Sequence, residues 1–324
     1  MPKVAILLST YNGEDYLKEF LNSISEQSFK NYTLYIRDDG STDSTIEIIS
    51  STILDNNIKF INDSQGNIGS AQSFMFLLQN VSADIYMFAD QDDVWEKDKI
   101  LDSVNSILNY GIENPVLFHT DLKIVNSDLK VISPSFYTHE NFKYPKCLRV
   151  NNLILQNSIV GCTIAITDKL KNDFFNSLLN NNISLLQLAM HDWFLALYTK
   201  YFGTILFSNK SNILYRQHEK NVSGIKKMNY LHKINNQFTI IGVNKIDNYK
   251  YRIAKQAEIF LRLYDSKIPP NDKFLIRLAS RVNLKFETFN WFLCLLFGVK
   301  FSNFYMNLSF FFTPIIKPFI KFKK

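Results

Sequence analysis

The chain has 324 residues, enough for one large α/β domain with an appendage or for two modest domains. Its 46% hydrophobic content is normal for a folded protein, and its three widely spaced cysteines form no CxxC, which argues against a disulfide framework or a zinc site. The net charge of +6 is divided, with 18 Lys/Arg against 25 Asp/Glu in residues 1–224 and 18 against 5 in residues 225–324, so the second part calls for an anionic partner.

The first apolar run, Val4–Leu8, is too short for a secretion signal and reads as a strand in a cytoplasmic chain. It empties into Ser9-Thr10-Tyr11-Asn12-Gly13-Glu14, a polar turn that offers backbone N–H groups and an aromatic platform to a nucleotide, or simply caps a helix. Leu17, Phe20, Leu21 and Ile24 then recur at helical spacing. A second strand, Thr33–Arg37, runs into Asp38-Asp39-Gly40-Ser41-Thr42-Asp43. Asp43 suits an N-cap and Gly40 a tight turn, which leaves Asp39 as a carboxylate able to accept a pyrimidine ring N–H. A helix over Ser44–Ser51, a strand over Ile58–Ile61, the loop Gly66–Gly69 and a helix over Ala71–Gln79 follow.

The strand Ile85–Ala89 ends in Asp90-Gln91-Asp92-Asp93-Val94-Trp95. Three carboxylates within four residues raise one another's pKa unless a cation shares them. One carboxylate suits ribose hydroxyls and another a hard cation, Mg²⁺ or Mn²⁺, that bridges two phosphates. The plainer alternative is an acidic turn capping the helix predicted over Lys97–Leu108. After a strand over Val116–His119 the βα rhythm loosens. A helix predicted over Leu185–Tyr201 carries His191-Asp192, a pair whose apolar neighbours raise the carboxylate towards the range of a general base, or which is simply buried and hydrogen-bonded at a helix start. Tyr215-Arg216-Gln217-His218 offers groups that could hold a diphosphate or supply a nitrogen to the metal, or is simply a polar loop. The rhythm implies an α/β fold with a mostly parallel central sheet and helices on both faces, where ligands bind beyond the carboxyl ends of the strands.

In this order and separation, Ser9-Thr10-Tyr11-Asn12, Asp38–Asp43, the aspartate run and the late Asp192 resemble the glycosyltransferase family 2 enzymes, which have the GT-A fold. The form Asp90–Trp95 with His191-Asp192-Trp193 and Tyr215–His218 looks most like the bacterial rhamnosyltransferase branch. The resemblance covers residues 1–225 and implies that Thr10, Tyr11 and Asp39 contact the base, with Asn12, Glu14, His191 and Arg216 also on the nucleotide-sugar. It implies Asp92 near the ribose, Asp93 and His218 on the metal, and Asp192 as the base that deprotonates the acceptor hydroxyl. Asp90 leaves the metal ligand ambiguous by position. The absence of Gln-x-x-Arg-Trp favours addition of a single sugar over polymerisation. Donors other than dTDP-rhamnose, among them UDP-sugars, stay open, as does a non-catalytic nucleotide-sugar-binding scaffold; a nucleotidyltransferase would need a triphosphate loop that is not evident.

Residues 226–324 read as a basic, aromatic-rich helical region. Trp291–Val299 is apolar for only nine residues against the about 20 needed for a span. An in-plane membrane anchor is favoured, ahead of a helical cap and of a true span. Aromatics there cluster rather than alternate with basic residues, which argues against nucleic acid. The expected setting is the inner face of the cell membrane, with a lipid-linked or oligosaccharide acceptor.

Overall fold

The computed structural model describes residues 1–52, 57–179, 188, 190–218, 240–284 and 286–321. Four apolar runs form parallel neighbours: β1 (Val4–Thr10), β2 (Tyr32–Asp38), β3 (Ile58–Phe60) and β4 (Ile85–Asp90). Nearly every residue of β1 and β4 is buried, as expected of central strands covered on both faces. The connecting helices are α1 (Leu17–Ser25), α2 (Thr45–Thr52) and α3 (Ser70–Asn80), followed by α4 (Lys99–Tyr110). Leu17, Phe20, Leu21 and Ile24 form the buried stripe of α1.

Beyond β4 the sheet becomes mixed. The remaining strands are β5 (Val94–Trp95), β6 (Val116–Val125), β7 (Val131–Ser133), β8 (Ala165–Thr167) and β9 (Thr204–Arg216). The order is β3-β2-β1-β4-β8-β6-β9-β5, with β7 paired to β6. Strand β8 is antiparallel to β4 and β6, and β5 is antiparallel to β9. Short helices α5 (Phe136–His139) and α6 (Val150–Leu153) precede α7 (Asp168–Leu179) and α8 (His191–Phe202). The helix expected over Leu185–Tyr201 thus begins at His191; residues 185–187 and 189 lie outside the described residues.

By compactness the chain falls into two units, Met1–Phe136 with Ile159–Gly224, and Tyr137–Ser158 with Ile225–Lys324. The boundary expected near 225 lies outside the described residues. The second unit contains helices Ile240–Tyr264, Pro270–Ser280, Glu287–Leu296 and Phe304–Lys321. Trp291, Phe301 and Phe310 pack ring on ring at 4.7–5.6 Å at its centre, and the Trp291 indole donates to the Asn307 carbonyl at 2.9 Å. No helix among the described residues is long and apolar enough to cross a membrane.

Candidate active site

Register brings the polar ends of three strands level: Ser9 of β1 pairs with Arg37 of β2 and with Asp90 of β4, and Thr10 pairs with Asp38. The turns beyond are tied to one another. Thr10 Oγ1 donates to Asp38 Oδ1 at 2.8 Å, the Asn12 N–H to Ser41 Oγ at 2.8 Å, and the Thr42 N–H to Asn12 Oδ1 at 2.8 Å. Glu14 Oε2 accepts the Ser44 N–H at the start of α2, and the Glu14 N–H donates to Asp43. Asp43 in turn accepts the Thr45 N–H at 3.0 Å. Gln91 reaches back with its amide, bonding both the N–H and the C=O of Tyr11 at 2.9 Å. A Cβ at position 13 would stand 2.3 Å from Gln91 Oε1, so a side chain there would push the Gln91 amide out of this position. Half of the Tyr11 surface remains exposed above this turn.

Asp39 is buried and already committed. Its Oδ1 accepts Arg37 Nη1 at 2.7 Å and the Ile68 N–H at 2.8 Å, and its Oδ2 accepts the Gly69 N–H at 2.9 Å. Three of about four acceptor positions of the carboxylate are therefore filled. Arg37 spends all five N–H groups, on Asp39, on Asp63 twice, on Ser73 and on the Gly66 carbonyl. The loop Gly66–Gly69 is held in this way.

The aspartate run does not cap α4, which begins at Lys99 after Asp98. It is instead clamped by the end of β9: the Arg216 N–H donates to Asp93 Oδ1 at 3.2 Å and Arg216 Nε to the Asp92 carbonyl at 2.9 Å. The buried Arg216 guanidinium also bonds the Ser127 carbonyl and Glu19, and stacks 4.4 Å from the Tyr16 ring centre. His218 meets Asp92, Nε2 to Oδ2 at 2.8 Å, with its ring 4.9 Å from that of Tyr16. Glu219–Asn221 lie outside the described residues.

Carboxylate oxygens of Asp90 and Asp93 and the Cys162 sulfur lie within 4.8 Å of one another. Burial, then the charges of Asp92 and Asp192, push the Asp90 carboxyl up to about 7, although its side chain keeps some surface. Burial, then Asp92 and Asp90, hold Asp93 well above the usual carboxylate range. Asp93 Oδ2 is fully buried and has no well-aligned hydrogen-bond donor among the described residues; the Cys162 thiol lies close enough to the carboxyl to lower its pKa as a weak donor, against the larger effects of burial and of the neighbouring acids. A buried acceptor with no well-aligned donor, among crowded carboxylates, has the chemistry of a divalent-cation site, and the oxygen-rich donor set fits Mg²⁺ or Mn²⁺.

Asp192 sits buried in the first turn of α8, with Oδ1 accepting the Trp193 N–H at 2.7 Å. Its neighbour His191 turns away from solvent between Phe74 (4.6 Å) and Phe88 (5.1 Å), and burial depresses the imidazole to about 3, so it is neutral. A Cβ at Gly161 would lie 3.2 Å from His191 Nε2 and 3.6 Å from Asp192 Oδ2; glycine there lets the loop before β8 close on the start of α8.

The structure thus gathers Asp90, Asp92, Asp93, Asp192, Arg216 and His218 in one region, and sets Thr10, Tyr11, Asn12, Glu14 and Asp39 across the neighbouring strand ends. His191 is packed as an aromatic. Cys162 and Arg37 are the residues that sequence reasoning left without a role. Nothing in the spacing links Cys162 to Asp93, while Arg37 stood inside a quoted motif.

The family described as Glycosyl transferase family 2 matches residues 5–170. The dTDP-rhamnosyl transferase RfbG of Shigella flexneri is 29% identical over 228 residues, 67% of this chain and 73% of that protein. The putative teichuronic acid biosynthesis glycosyltransferase TuaG of Bacillus subtilis (strain 168) is 26% identical over 170 residues, 52% of this chain and 63% of that protein. Among solved structures, S. aureus TarS 1–349 in complex with UDP-GlcNAc superposes with a TM-score of 0.52 at 16% identity, covering 89% of this chain and 90% of that one. Mannosyltransferase PcManGT from Pyrobaculum calidifontis, in complex with GDP-Man and Mn²⁺, gives 0.54 at 14% identity, covering 92% and 73%. At these identities the likeness carries the fold, which is the expected GT-A architecture with a helical C-terminal region. With the family profile matched over half its length, the chain belongs to glycosyltransferase family 2.

Proposed function

We propose that the chain is an inverting, metal-dependent transferase that adds one sugar from a nucleoside-diphosphate sugar to an acceptor in cell-surface polysaccharide assembly. The observation that carries this reading is the buried Asp93 Oδ2 beside Asp90, which has no well-aligned donor among the described residues, with Asp192 close enough for its charge to act on Asp90. Asp93 and Asp90 would hold a divalent cation, which when bound would supply charge stabilisation for the departing nucleoside diphosphate. Asp92 faces the ribose and orients His218, while Tyr11 offers its exposed ring to the base. Asp192 accepts the acceptor's hydroxyl proton as the oxygen bonds the anomeric carbon and the bond to diphosphate breaks with its electron pair.

The name of RfbG favours dTDP-rhamnose as the donor, and that of TuaG favours a surface-polymer acceptor. The test is a donor screen by thermal shift with Mn²⁺ or Mg²⁺. A rise in Tm is expected with dTDP-rhamnose plus metal, and its loss with EDTA. Metal-independent stabilisation by every nucleotide sugar would remove the cation from this reading, and stabilisation by a UDP-sugar alone would replace the rhamnose donor.

The second unit is read as meeting the cytoplasmic face of the membrane, where a lipid-linked acceptor resides. Phe289, Phe292 and Leu296 on one helix, and Phe304, Leu308 and Phe312 on another, recur at helical spacing and are exposed, Phe304 by 67%. The unit carries 21 Lys/Arg against 6 Asp/Glu, which suits anionic headgroups. Co-sedimentation with vesicles containing phosphatidylglycerol is expected, and Phe289→Ser with Phe292→Ser should release the protein. Equal recovery with and without such vesicles would end the membrane role.

A further inference from the structure

The geometry points to Cys162 as a third, soft ligand of the cation at Asp90 and Asp93, which biases the site towards thiophilic divalent ions and away from Mg²⁺. This rests on the reading that a divalent cation binds the two carboxylates. The sulfur shares the 4.8 Å cluster with both carboxylate oxygens, so one ion can touch all three. The second pointer is Asp93 Oδ2, buried on a residue with no exposed surface and without a well-aligned donor among the described residues, with the Cys162 thiol as its near neighbour. Cys162 itself is buried, free of any disulfide, and placed by the Gly161–Thr163 turn, where the glycine at 161 lets the backbone approach the start of α8.

Ligand softness decides the consequence. Two carboxylates alone favour Mg²⁺ and Mn²⁺, while a thiolate adds affinity for Zn²⁺, Cd²⁺ and Co²⁺ and contributes little to Mg²⁺. On coordination the S–H proton passes to solvent and the sulfur donates a lone pair to the ion.

The experiment titrates the full-length apo-protein with Co²⁺ and Cd²⁺, with Mg²⁺ and Mn²⁺ as competitors. A sulfur-to-cobalt charge-transfer band in the near ultraviolet is expected, abolished in Cys162→Ser. The Cd²⁺ preference over Mg²⁺ should fall by about 10- to 100-fold in that variant, the scale of loss typical when a metal-site partner is removed. Mn²⁺ affinity should change far less. The wild-type band is a readout independent of how well the variant folds. Co²⁺ binding without the band, or Cys162→Ser with unaltered selectivity, would overturn the sulfur ligand while leaving the carboxylate site intact. Failure of every ion to bind would overturn the cation reading itself.

Discussion

Asp192→Asn is expected to slow sugar transfer by about 10²–10⁴-fold, the range a positioned general base contributes, while nucleotide affinity stays near that of the wild type. The change is nearly isosteric. Asn Oδ1 can still accept the Trp193 N–H that Asp192 binds at 2.7 Å, so the first turn of α8 keeps its contact. What disappears is the basic oxygen and one negative charge near Asp90, a charge that now adds to the crowding on that carboxyl. The loss should therefore fall on kcat rather than on KM for the donor. Single-turnover transfer with saturating donor, alongside nucleotide titration, separates the two. Transfer near the wild-type rate would take Asp192 out of the base role.

Arg37→Leu is expected to cost about 3–5 kcal/mol of stability, the penalty for stripping one partner from a buried ion pair. The guanidinium has 1% exposure and supports two carboxylates at once, Asp39 at 2.7 Å and Asp63 at 2.6 Å. Burial alone would raise the Asp63 carboxyl; the bonds from Arg37 and the Gln65 N–H instead hold it below its ordinary value. Without Arg37 both acids are left without their cation, and the loop Gly66–Gly69 loses the bond to the Gly66 carbonyl. Arg37→Lys keeps the charge but cannot reproduce a five-donor fork, so an intermediate loss is expected. Denaturant unfolding measures both. A loss below about 1 kcal/mol for Arg37→Leu would mean that the pair behaves like an exposed one.

The N-terminal half was legible because its strands are short, continuous apolar runs and its helices carry clear stripes. Each of the four parallel strands appears within two residues of its expected bounds. Legibility faded where polar residues sit inside strands. Strand β6 continues from His119 to Val125 through Asp121 and Lys123, and β9 runs thirteen residues through Ser208–Asn212. The ladder between them shifts register at Thr120, which breaks any simple alternation. In the site, the aspartate run announced its crowding directly. The commitments of Asp39 did not, because its partners come from Arg37 and from the loop before α3. Cys162 was invisible for the same reason: its neighbours Asp90 and Asp93 are far off in sequence and meet it only through the sheet.

The level pairing of Ser9 with Arg37 on one side and Asp90 on the other makes β1 the middle rung of a ruler. Adjacent strands stand about 4.8 Å apart, so the ends of β2 and β4 are separated by about 10 Å set by backbone hydrogen bonds alone. On the proposed reading, a donor lying across these rungs would have its base end and its phosphate end gauged by the pitch of the sheet. Exchange of the transferred sugar leaves that gauge untouched. Changes on β1, β2 and β4 are therefore expected to alter the nucleotide preference before the sugar preference.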